Sequence, residues 1–268
     1  MKKILPLMLM TVLSCSKATK VTEKSKESQF NFGVKPSDKV SLKIQNIGNV
    51  TVKSSVPDKI VAMITKSATS QNRSKAAELV DAIIFTPVRS AEAITYKPGF
   101  PAISSSEKVS TDVTFLLPLN QHFPVSVATV NGKLHIGGIR GNVNALLKGT
   151  CPVFIKTFTG RLELNSEGGD MSIGYKITGG SIKSNSGNIL LTQRLKNMDE
   201  DLIISSTSGD VSLELINNPE FSLELDGKKG IENKSATIKL SGNNYKGKGK
   251  YRIVVKTGGK IILRPDLF

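Results

Sequence analysis

Two carboxylate pairs in this sequence, Glu163 with Asp170 and Asp210 with Glu214, have a spacing that could serve glycoside hydrolysis. That reaction needs two such groups about 5 to 10 Å apart. Acids at outward strand positions and turns are expected in any β protein, so a surface role is the stronger reading of all four. His122 and His135 have no neighbouring Cys or paired-carboxylate motif. Asp199-Glu200-Asp201, following Asn197, could offer oxygen ligands to calcium. Three successive acids point in different directions, however, and a solvated loop explains them better. The glycines lead into apolar alternation rather than into helix starts, so no phosphate loop or dinucleotide fingerprint is present. No catalytic residue, metal site or cofactor is read from this chain.

Cations are more conspicuous. Residues 227–264 hold eleven Lys or Arg against one acid, Glu232, and supply most of the net charge of +15. Lys246, Lys248, Lys250 and Arg252 alternate with Gly247, Gly249 and Tyr251, which in a strand would place four cations on one face. They could dock an anionic partner, such as lipid headgroups, acidic polysaccharide or a host polyanion. They could equally guard a terminal strand edge against end-to-end stacking, and this structural reading carries the greater weight. With aromatics at 5% and no Trp, rings are too few for nucleic-acid stacking or for a sugar platform built from rings.

The elements that would position these residues begin after residue 28. Lys2 and Lys3 precede an apolar run at 4–13, too short for a membrane span of roughly 20 residues and suited to an export signal. Val12-Leu13-Ser14-Cys15 resembles the lipobox of bacterial lipoprotein precursors. That resemblance implies removal of residues 1–14, lipidation of Cys15 and anchoring by more than one acyl chain, since one chain holds only marginally. The competing reading is an ordinary signal with Cys15 in a disulfide to Cys151. The position of Cys15 at the end of the apolar core favours the lipobox, leaving Cys151 as a small buried hydrophobe. Residues 15–28, mostly Lys, Ser, Thr and Glu, read as a lipidated Cys and flexible tether reaching on the order of 20 Å. Ser16 stands where inner-membrane enterobacterial lipoproteins carry Asp, so the outer membrane is expected rather than the inner. Export also argues against nucleic acid as a partner.

Residues 29–268 read as one domain. From Val125 onward the chain repeats one pattern: Gly, a polar residue, then two apolar residues separated by one of any type. Examples are Gly132-Lys133-Leu134-His135-Ile136, Gly169-Asp170-Met171-Ser172-Ile173 and Gly209-Asp210-Val211-Ser212-Leu213. Alternation with period two buries one face of a short strand, and Gly allows the corner before it. No unit can bury its own apolar face, so units must stack, with about ten residues per side and about twenty per turn. An all-β fold follows, best met by a right-handed parallel β-solenoid; an antiparallel β-sandwich of hairpins is the alternative. Upstream, 40–44, 50–52, 60–64, 83–86, 93–96 and 113–117 read as strands and 74–79 as a helical turn.

The order Asn46-Ile47-Gly48-Asn49-Val50-Thr51-Val52, then Phe115-Leu116-Leu117-Pro118, then the serial repeats, is similar to the family of bacterial surface domains called putative adhesins. The resemblance implies a β-helical fold and surface exposure, and it supplies no catalytic or binding residues. The expected function is a membrane-anchored, non-catalytic lipoprotein whose β domain binds a partner or shapes the envelope. A polysaccharide-active enzyme, or polyanion binding through the basic region, are the alternatives.

Overall fold

In the computed structural model, residues 21–266 are described, apart from 26, 36–39, 57, 120–121 and 197. The expected signal peptide, Cys15 and residues 16–20 lie outside that set. The described residues are nearly all-β, with one helix. The first part contains β1 (Val21–Lys24), β2 (Ser28–Gly33), β3 (Ser41–Ile47), β4 (Val50–Val56) and β5 (Lys59–Ser70). Helix α1 (Arg73–Ala82) and strands β6 (Val88–Arg89), β7 (Ala93–Tyr96) and β8 (Lys108–Pro118) follow. The repeats form β9 (Val125–Val130), β10 (Leu134–Gly137), β11 (Val143–Thr150), β12 (Val153–Gly168), β13 (Met171–Ser184), β14 (Ile189–Gln193), β15 (Leu202–Ser206) and β16 (Val211–Leu215). The remainder is β17 (Ser222–Gly227), β18 (Ile231–Asn233), β19 (Asn244–Tyr245), β20 (Arg252–Thr257) and β21 (Ile261–Leu263).

Two parallel ladders organise these strands. The first runs β4, β10, the start of β12, the start of β13, β14, β16, β21, β18. The second runs β7, β3, β9, β11, the end of β12, the end of β13, β15, β20, β17. Both β12 and β13 pass from one ladder into the other, so the strands belong to one continuous sheet. A sandwich of hairpins does not have this parallel pairing and is set aside for the repeats.

Period-two alternation explains the core. In the first ladder, Val50, Leu134, Val153, Met171, Ile189, Val211 and Ile261 stack in register, strand on strand. In the second, Ile44, Val127, Ala145, Leu164, Ile182, Ile204, Val255 and Leu225 do the same, and every one of these side chains is buried. Burial at about 25 cal/mol per Å² of apolar surface drives the stacking. Corners pack just as closely. Gly187 has φ +95°, and a Cβ there would lie 2.3 Å from the carbonyl oxygen of Gly169; Gly209 stands in the same way over Gly187. Cys151 takes this corner position opposite Gly169. It is free and buried, with its thiol against the Lys148 carbonyl.

The amino-terminal part departs from the repeat. Here β5 pairs antiparallel with β1 and β2 on one edge and with β8 on the other, while β8 joins β4 in parallel. Residues 21–24, read as tether, are therefore strand, held by the edge of β5 rather than by apolar content of their own. The helical turn is a full helix, capped by the Asn72 side chain on the Lys75 N–H at 2.7 Å, with Ala76, Leu79 and Val80 buried. Segment 83–86 is not a strand: Ile84 makes a single bridge to Gly99 between the helix end and Pro87.

At the far end the chain order and the sheet order differ. Strands β20 and β21 lie inside β17 and β18, which come earlier in sequence but sit further out. The short β19 covers the outer edge of β17.

Candidate functional site

Outward positions of the second ladder form two rows at strand spacing, about 4.8 Å per step. One row runs Lys43, Ser126, Asn144, Glu163, Ser181, Ile203, Val254, Glu224. The next runs Gln45, Ala128, Leu146, Asn165, Lys183, Ser205, Lys256, Asp226. Three hollows follow these rows. A hollow of about 330 Å³ reaches from Lys43 to Glu163. A second, of about 360 Å³, shares Asn144 and Glu163 with it and reaches Lys183. The third, of about 550 Å³, shares Asn165 and Lys183 with the second and ends among Asp226, Lys228 and Lys256. Shared walls make them one trough across the strands, whose lining combines amides, hydroxyls and lysines with apolar surface.

Glu163, Glu200, Asp201 and Glu224 on this face are already engaged. Arg161 lies 2.5 Å from Glu163 and 2.5 Å from Glu200, and the Ser181 hydroxyl donates to Glu163. Arg252 lies 3.0 Å from both Asp201 and Glu224. The hydrogen bond to Asp201 and both neighbouring carboxylates hold the guanidinium more firmly protonated than usual. These exposed bridges are each worth little energetically; they fix side chains along the trough.

The carboxylates paired on sequence grounds do not meet. Glu163 sits on the outer face of the second ladder, whereas Asp170 sits at a corner and accepts the Asn188 N–H. Asp210 holds the equivalent corner and accepts the Lys260 N–H. Glu214 lies on the outer face of the first ladder, bound by Thr192 and Arg264. In the acidic cluster, Glu200 faces Arg161 and Asp201 faces Arg252. Among the described residues no three His, Cys, Asp or Glu side chains converge. His122 is exposed beside Arg140, and half-buried His135 stands between Thr51 and Phe154 on the first ladder.

The strand expected to align the basic residues does not form. Residues 246–251 lie outside the strands, with a bend at 248–250, and Lys246, Lys248 and Lys250 are exposed. Gly247 and Gly249 turn inward: a Cβ on Gly247 would lie 2.1 Å from the Glu220 carbonyl, and the Gly249 N–H donates to that same oxygen at 2.5 Å. Arg252 leaves the group, because β20 delivers it to Asp201 and Glu224.

Asn144, Asn165, Lys183 and Lys256 were not singled out from sequence. Asn144 lies between Val143 and Ala145, whereas Asn165, Lys183 and Lys256 each follow an apolar residue and precede a buried Ser or Thr, so apolar alternation alone did not mark them.

No protein-family model matches this chain, and no curated protein matches it in sequence. Two crystal structures are similar at low level. One is a putative cell adhesion protein from Clostridium sporogenes ATCC 15579, at 11% identity and TM-score 0.37, covering 90% of this chain and 100% of that one. The other is a putative adhesin from Bacteroides fragilis NCTC 9343, at 13% identity and TM-score 0.35, covering 89% and 97%.

Proposed function

We propose that this chain is an exported lipoprotein, anchored through Cys15, whose β domain binds an extended polar polymer along the trough and has no catalytic role. The observation that carries this reading is the continuity of the trough from Lys43 to Lys256, along which Arg161 and Arg252 pair with Glu163 and Glu224 and leave Asp226 among lysines. Evenly spaced amides and hydroxyls suit a repeating ligand such as a glycan strand, and the spaced lysines favour an anionic one. On this reading the two ladders are the sides of a right-handed parallel β-helix, in keeping with the return of each ladder strand after about twenty residues. Ser16, next to the anchor, favours the outer membrane over the inner.

A second site on the same molecule is favoured by one observation. Lys246, Lys248 and Lys250 are all exposed on one short segment while Gly247 and Gly249 pack against the Glu220 carbonyl, which suits anionic lipid or another polyanion near the anchoring membrane.

Purified full-length protein in detergent would be incubated with a panel of neutral and acidic polysaccharides, scored both for binding and for released product. Binding weakened by the double substitution Asn144→Ala and Lys183→Ala, with no product, is expected. Product formation abolished by Glu163→Gln or Asp210→Asn would overturn the non-catalytic reading. Palmitate labelling lost in Cys15→Ala tests the anchor. Unchanged vesicle binding after neutralising the three lysines, at any salt concentration, would remove the second site.

A further inference from the structure

The outer face of the first ladder carries a strained corner. Between Ile155, opposite Ile173, and Phe158, opposite Tyr175, β12 holds one residue more than β13. Such a bulge re-aims side chains and is common beside binding sites. Here two non-glycine residues have positive φ, Thr157 at +54° and Tyr175 at +125°. The second lies in a region that L-residues avoid, so the surroundings must hold it there. One visible hold is the Arg194 N–H, which donates to the Tyr175 carbonyl at 2.7 Å.

The strain leaves a ring standing in solvent. Tyr175 is 36% exposed, with the Lys176 ammonium 5.7 Å and the Arg194 guanidinium 5.6 Å from its centroid. Beside it is a hollow of about 230 Å³ whose lining includes Lys156, Thr157, Ser172, Gly174, Thr192 and Arg194. Gly174 is the floor: a Cβ there would approach that of Thr192 to 3.1 Å. No acid lines the hollow, and Glu214, next in the row beyond Thr192, is already held by Thr192 and Arg264. Phe154 stands on the same face, opposite Ser172 in register and equally exposed, with Lys133 5.7 Å from its ring. Few as the aromatics are, two of them are presented here with cations.

We propose that Tyr175, Lys156 and Arg194 form a subsite for one acidic sugar of a uronate polymer. The apolar face of the pyranose stacks on Tyr175, and its carboxylate is taken by Arg194 and Lys156, a planar fork and a point charge. The hollow is smaller than pockets for drug-sized molecules and fits a single ring. This site rests on the binding role proposed above but uses the opposite ladder, so variants of the trough leave it intact.

Calorimetric titration with galacturonate oligomers, and with neutral galactose oligomers of the same length, tests the assignment on the full-length protein in detergent. The uronate should bind at least about tenfold more tightly, and its affinity should fall as salt rises. Tyr175→Gly should lose about tenfold in affinity while raising the melting temperature, because glycine tolerates φ +125°. Arg194→Gln and Lys156→Gln should each weaken uronate binding with the melting temperature unchanged. Equal affinity for neutral and acidic oligomers, no uronate binding at all, or binding untouched by these substitutions would overturn the proposal. In the second case, polymer binding that still depends on Asn144 and Lys183 would leave the trough standing alone.

Discussion

The Asp170 carboxylate accepts the backbone N–H of Asn188 at 2.8 Å, and the Asn188 side-chain oxygen accepts that of Asp210 at 3.1 Å. Asp210 extends the series to the Lys260 N–H at 2.8 Å. At the other end of the molecule Asn49 does the same for Lys133. At these four corners the polar residue after the glycine satisfies an N–H of the neighbouring unit, which no strand partner reaches. Replacing Asn188 with Ala should cost about 1–3 kcal/mol, the range for a hydrogen bond lost with its partner unsatisfied. Asn188→Asp, which keeps the acceptor, should cost less; urea denaturation of both variants measures the difference.

Two glycines separate backbone strain from crowding. Gly187 and Gly230 have nearly equal φ, +95° and +96°, but a Cβ on Gly230 meets nothing within 4 Å. Gly230→Ala should cost only the conformational strain, about 1–2 kcal/mol. Gly187→Ala must also displace the Gly169 carbonyl and should exceed about 4 kcal/mol. Equal urea midpoints for the two variants would contradict the close stacking of the corners.

Tyr96 should ionise late. Burial pushes its phenol up to about 12, opposed in part by its hydrogen bond to the Thr111 hydroxyl at 2.9 Å. The fold favours the protonated form, so stability from this group is intact below about pH 10 and lost as pH rises towards 12. A phenolate absorbance phase with a midpoint near 12, absent in Tyr96→Phe, is the expected observation. That substitution should cost about 1 kcal/mol, since the Thr111 hydroxyl still donates to Asn46.

Glu232 acts in the opposite direction. Hydrogen bonds from Lys260 and Lys234 hold its carboxyl down at about 2. Its contribution is therefore present above the ordinary value of 4.5 and is lost as pH falls from there towards 2. Carboxyl titration by NMR should show a midpoint near 2, moving up in Lys260→Gln and at high salt.

What could be read in advance follows from the range of each interaction. The apolar columns were legible because alternation is local and each repeat restates it. Parallel pairing was favoured by the return of units after about twenty residues but not decided, since Gly, Asn and Asp make corners for either arrangement. Corner residues such as Asp170 were visible as polar, but their acceptor role depends on a neighbour 18 residues away. Val21–Lys24 looked like tether because its partner, the end of β5, is distant in sequence. The alternation of Lys246, Lys248, Lys250 and Arg252 was plain, while the withdrawal of Arg252 depends on Asp201, 51 residues earlier. Exposure of Tyr175 could not be foreseen, because a bulge on the preceding strand sets it.

The insertion of β20 and β21 inside β17 and β18 means that the array cannot be completed by adding one unit after another from the amino-terminal side. Residues 222–233 must wait, without their ladder partner, until 252–263 arrive and slide in beneath them. Folding at this end is thus an all-or-none closure over a non-local loop. A cut between Tyr245 and Arg252 would sever the covalent link between both outer strands and the inner strands on which they pack.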